Sequence, residues 1–107
     1  MQTDERRRHA RLSIDCEVAL QIKEEFIPCR ASNIAAGGVL VQLSDDIPAI
    51  LQLGDQGSCW MDFGDEHLEA AFRIARMAGR YLALRFIDLQ QPQQEFLEQL
   101  VAAGEPS

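Results

Sequence analysis

What this 107-residue chain lacks narrows its class quickly. Its three cysteines, Cys16, Cys29 and Cys59, are odd in number, far apart and form no C-x-x-C pair. That argues against a disulfide framework or a thiolate metal site and leaves three reduced thiols, as expected of a cytosolic protein. No apolar run reaches the ~18 residues of a membrane span, and the polar N-terminus has no signal-peptide core. The expectation is a soluble, cytoplasmic protein without membrane insertion. His9 and His67 stand at no metal-ligand spacing, so no metal and no cofactor are expected. No nucleophile–base arrangement can be assembled. Asp45-Asp46 and Asp65-Glu66 read as solvated turn acids, and an enzyme is the least favoured class. Internal repeats and low-complexity linkers are absent as well.

Positive charge is scarce and unevenly placed. The chain holds ten Lys+Arg against seventeen Asp+Glu, a net of −7. Arg6, Arg7, Arg8 and Arg11 supply four of the ten, which leaves the remainder at −11. A cationic knot on an anionic body suits capture of a compact anion, because guanidinium forks bind phosphate bidentately and stack on flat rings. An extended nucleic acid would be repelled by the rest of the chain, so none is expected as a partner. The competing reading of the run is a solvated tail.

Hydrophobic residues make up 47% of the chain, enough for the core of one domain. Leu12, Ile14, Cys16, Val18, Leu20 and Ile22 alternate with mostly polar neighbours, which predicts a half-buried strand over 12–23. Phe26–Ala36 reads as a second strand with Ile27, Cys29 and Ala31 on one face. Gly37-Gly38 breaks it, and Val39, Val41 and Leu43 begin a third. Ser44–Gly57 reads as a loop, and strands are expected over Ser58–Phe63, Leu68–Met77 and Arg80–Leu89. The period then changes: Phe96, Leu97, Leu100 and Val101 form one stripe of a helix over 91–103, with Pro92 in its first turn and Gly104 past its end. The expected fold is all-β, a six-stranded antiparallel barrel with a C-terminal helix. The domain plan is an arginine-rich flexible arm (1–11), a barrel (12–89) and the helix.

Two segments carry chemistry. The arginine run precedes a strand, where an irregular arm can wrap a ligand. In Ser32-Asn33-Ile34-Ala35-Ala36-Gly37-Gly38, Asn33 offers a donor and an acceptor for a nucleobase edge. Gly37 and Gly38 permit close backbone approach or positive φ. A strand end closed by a glycine turn is the plainer reading of this segment. Trp60 is expected to be packed or to lie under the helix. Arg73 and Arg76 read as exposed strand arginines that can reach a phosphate near the barrel rim.

Taken together, the two segments resemble the motifs of the PilZ domain, a bacterial receptor family for cyclic di-GMP. The family's R-x-x-x-R is matched by Arg7 and Arg11, with Arg6 preceding them. Its [D/N]-x-S-x-x-G is matched by Asn33 and Gly38, with Gly37 giving a double glycine. The resemblance spans nearly the whole chain and implies a six-stranded barrel with a terminal helix. It further implies a ligand-binding set of Arg6, Arg7, Arg8, Arg11, Asn33, Ala35, Gly37 and Gly38. One position departs: Ala35 stands where the family has serine, so a hydroxyl that contacts guanine is missing. The implied function is a stand-alone receptor that binds cyclic di-GMP and relays it to a downstream effector protein. The alternative is a PilZ-type interaction module that binds no nucleotide.

Overall fold

Alternating apolar and polar residues build six strands and one helix in the computed structural model, which describes residues 11–104. The order is β1 (Leu12–Ile22), β2 (Glu25–Ala35), β3 (Gly38–Leu43), β4 (Gln56–Asp62), β5 (His67–Ala78), β6 (Tyr81–Ile87) and α1 (Gln91–Gly104). Every ladder is antiparallel, and the strands close in the order β1-β2-β3-β6-β5-β4, with β4 pairing back onto β1. Closure satisfies the backbone of all six strands and leaves no open edge. The expected six-stranded barrel with its helix is the observed fold.

Each strand turns its apolar face inward. Val18, Leu20 and Ile22 of β1 meet Val41, Phe72, Ile74 and Leu82 in a core that contains no buried charged or polar residue among those described. Leu97 and Val101 of α1 are buried, and Leu97 joins that core. Phe96 packs on Phe63 with ring centroids 5.6 Å apart. The helix start is secured by Gln93, whose side-chain oxygen accepts from the Gln90 backbone N–H at 2.6 Å, the back-reaching half of a capping box. The Gln93 amide also donates to the Glu69 carbonyl, which ties α1 to β5. No helix of the described residues is long and apolar enough to cross a membrane.

Two expectations are corrected. The loop expected to run to Gly57 ends earlier, because β4 begins at Gln56. Gly57 is a strand residue pressed against β1, where a Cβ would lie 2.3 Å from the Gln21 carbonyl oxygen. Trp60 is not in the core. It stands on the outer face of β4, between Ala19 and Glu69, and is 37% exposed.

Three β-bulges position the site. In β2, Ala31 pairs with Val41 but Asn33 pairs with Leu40, so Ser32 is the extra residue. The inward set therefore runs Ile27, Cys29, Ala31 and then Ile34, and Asn33 and Ala35 turn outward. Strict period two would have aimed both into the core. Matching shifts occur in β1 between Ser13 and Cys16 and in β5 between Ile74 and Arg76. Bulges gather at barrel rims and binding sites because they re-aim side chains.

Cys29 and Cys59 are buried and lie across from Val18 and Leu20 of β1. Burial pushes both thiols up to about 12. Burial also raises the half-buried Cys16, against the lowering pull of Arg30. Unfolded thiols ionise near pH ~8.5, so above that pH the unfolded chain releases protons that the folded chain keeps. Stability is then full below about pH 8 and falls as pH rises toward 12, by about 1.4 kcal/mol per pH unit for each such thiol. Denaturant titrations across alkaline pH should show this slope, and Cys29→Ala/Cys59→Ala should flatten it. An unchanged slope in the double variant would contradict the assignment to these thiols.

Candidate functional site

The described cations divide into two sets. Lys23 lies 3.3 Å from Asp55, Arg30 lies 2.7 Å from Asp15 and 3.8 Å from Glu17, and Arg80 lies 3.6 Å from Asp46. Arg11, Arg73, Arg76 and Arg85 are exposed and have no carboxylate within ion-pair reach among the described residues.

The unpaired set is gathered by the sheet. One outward row runs from Asn33 through Leu40 and Ala83 to Arg76, residue opposite residue across β2, β3, β6 and β5. The next row runs Ala35, Gly38, Arg85, Arg73. All of these residues except Arg73 line an open groove of about 460 Å3, which Arg11 also lines. Leu40 and Ala83 give the floor a half-buried, small apolar surface. Arg76 and Arg85 stand over it. Arg73 and Arg85 face each other directly across the β5–β6 ladder, a like-charge pairing that costs roughly 0.2–1 kcal/mol. A bound anion would offset that cost. The groove therefore offers guanidinium forks for an anion and a flat, low-walled floor for a ring.

Of the residues singled out in the sequence, Arg11, Asn33, Ala35, Gly37 and Gly38 all line this one groove. Arg6, Arg7, Arg8 and His9 lie outside the described residues. The glycine reading is refined. Neither Gly37 nor Gly38 has positive φ; Gly54, Gly64 and Gly79 do. Gly38 is needed by its neighbour, because a Cβ there would sit 2.3 Å from the Leu84 carbonyl oxygen of β6. The turn is pinned further by the Phe86 N–H, which donates to the Gly37 carbonyl at 2.9 Å. Arg85 was missed in the sequence, and of the two β5 arginines read as exposed and able to reach a phosphate near the rim, Arg76 lines the groove and Arg73 does not. Their outward parity was visible, but not that β6 and β5 lie beside β3.

The chain matches the PilZ domain family over residues 5–103. It belongs to that family. Solved structures with the same fold include the PilZ domain, with c-di-GMP, of YcgR from Escherichia coli. That domain has a TM-score of 0.79 at 14% identity over 88% of this chain and 87% of that one. The inhibitor of motility MotI/DgrA from Bacillus subtilis has a TM-score of 0.77 at 22% identity, over 88% of this chain and 48% of its own length. The PilZ domain of CeSA from a cellulose-synthesizing bacterium has a TM-score of 0.72 at 17% identity, over 87% and 95%. At these identities the likeness is one of fold. A search of the curated proteins finds no match. In this PilZ domain, Arg11 and the Asn33–Gly38 segment line one groove together with Arg76 and Arg85.

Proposed function

We propose that this PilZ domain binds cyclic di-GMP in the groove between the Asn33–Gly38 turn and the arginines of β5 and β6, and acts as a receptor rather than an enzyme. The observation that carries the reading is the segregation of cations: Arg11, Arg76 and Arg85, which line the groove, have no acidic partner among the described residues, nor does Arg73 opposite Arg85, while Lys23, Arg30 and Arg80 do. Cyclic di-GMP presents two phosphates and two guanines, and guanine O6 and N7 accept a guanidinium fork. Arg11 lines the groove, and Arg7 is four residues away, within roughly 14 Å along an extended chain. Arg6, Arg7 and Arg8 can thus close over a ligand seated on Leu40 and Ala83. Closure would relocate positive charge and create a surface for an effector protein, which is the proposed relay.

Calorimetry of the full chain with cyclic di-GMP, with GTP and a short RNA duplex as controls, tests this. Saturable binding of cyclic di-GMP alone is expected. Its absence would favour the second reading, a PilZ-type interaction module that binds no nucleotide. One observation supports that alternative: Ala35 lines the groove with a methyl group where the family has a hydroxyl.

Ala35→Ser separates the two readings further. Ala35 is half-buried on an outward position at the end of β2, so a hydroxyl there should leave stability within about 0.5 kcal/mol. Ligand affinity should tighten by ~0.5–1.5 kcal/mol, about three- to tenfold. A loss of affinity would mean that residue 35 does not face the base.

A further inference from the structure

A second groove of about 510 Å3 lies on the outer face of β1, β2 and β4. The two grooves share β2 but no lining residue: β1 and β4 belong to this one, and β3, β5 and β6 to the arginine groove. Its floor is Ala19, flanked by Pro28 of β2 and Trp60 of β4 in one cross-strand row. Trp60 is 37% exposed, so part of this large side chain is open to a ligand on the groove. Around that floor stand Glu17 and Asp62 on the groove itself, Glu69 opposite Trp60, and Asp15. The only described cation lining the groove is Arg30, which lies 2.7 Å from Asp15 and, more loosely, 3.8 Å from Glu17. The lining itself carries Glu17 and Asp62 against Arg30, a net of −1; Asp15 and Glu69 beside it add two negative charges, and Arg80, which donates to the Ser44 carbonyl, is balanced by Asp46.

We infer that this groove docks a basic peptide segment of a partner protein, with an arginine side chain stacked on Trp60 and paired with Glu17 and Asp62. Charge complementarity selects that occupant. A nucleotide or an anionic lipid surface is repelled by the rim, and a purely apolar segment would leave the carboxylates desolvated without partners. An open indole beside carboxylates fits a planar cation better than a compact ammonium, since guanidinium stacks and forks at once. The inference is independent of the ligand proposed for the arginine groove.

Trp60 is the chain's one tryptophan, so its emission reports the groove directly. The full chain is titrated at low ionic strength with an end-capped Arg-Gly repeat peptide. A saturable change in Trp60 emission is expected, weakened severalfold with a Lys-Gly repeat and absent with an Asp-Gly repeat. Added salt should weaken it, because the rim is exposed and screened. The exposed, charge-only changes Glu17→Gln/Asp62→Asn keep the reporter and the fold, and should weaken binding about tenfold. No emission change with the arginine peptide, or equal binding by the double variant, overturns the inference. Self-association of the free chain that the double variant abolishes would also overturn the partner assignment, and would give the groove to a second copy of this chain.

Discussion

Gly38→Ala should destabilise the protein by about 3 kcal/mol, whereas Gly37→Ala next to it should be neutral within about 0.5 kcal/mol. A Cβ at residue 38 would lie 2.3 Å from the Leu84 carbonyl oxygen, and the atom it meets is backbone in the adjacent strand of a closed barrel. Nothing flexible can give way, so β3 must separate from β6 where Gly38 pairs with Arg85. A Cβ at residue 37 meets nothing within 4 Å, and its φ is not positive. For a domain of this size the expected drop in melting temperature is roughly 12–24 °C for Gly38→Ala. Thermal unfolding of the two variants side by side checks this. Equal melting temperatures would mean that β3 and β6 are not in the close register described. The pair also divides a motif: Gly38 is required by the fold, and Gly37 is left free to serve a ligand's approach.

That division shows where reading the sequence succeeded and where it stopped. The strands and the helix follow from local periodicity, which Leu12 to Ile22 and Phe96 to Val101 carry plainly. Gly57 was read as a loop residue because a glycine without its neighbours looks like a turn; only the approach of the Gln21 backbone explains it. The outward aim of Asn33 and Ala35 depends on the Ser32 bulge, which breaks the alternation begun by Ile27, Cys29 and Ala31. A bulge of one residue leaves almost no compositional trace. Arg76 and Arg85 enter the groove through the strand order, since β6 lies beside β3 across forty residues of chain and β5 beyond it. Non-local pairing of that kind is set by closure of the whole barrel. What the motifs alone supplied was the near wall, Arg11 and the Asn33–Gly38 turn.

Arg7→Ala and Arg11→Ala should each lower cyclic di-GMP affinity more than tenfold, and the double variant more than a hundredfold. A hydrogen bond to a charged group is worth ~1.5–3 kcal/mol, and each arginine is expected to make at least one to a phosphate or a guanine. Arg7→Lys and Arg11→Lys should not restore binding, because a point charge reproduces neither the fork nor the stack. Arg76→Ala and Arg85→Ala should weaken binding less, by several-fold, through loss of charge at the far wall of the groove. Arg30→Ala is the control: Arg30 is exposed, paired with Asp15 and lines the other groove, so affinity should not change. Calorimetry across this series separates three outcomes. Losses at Arg7 and Arg11 with Arg30 silent support the proposed site. Losses at Arg76 and Arg85 with Arg7 and Arg11 silent would keep the groove and remove the arm from it. A uniform small loss at every arginine, Arg30 included, would reduce the interaction to the long-range field of the protein and leave no specific site on this face.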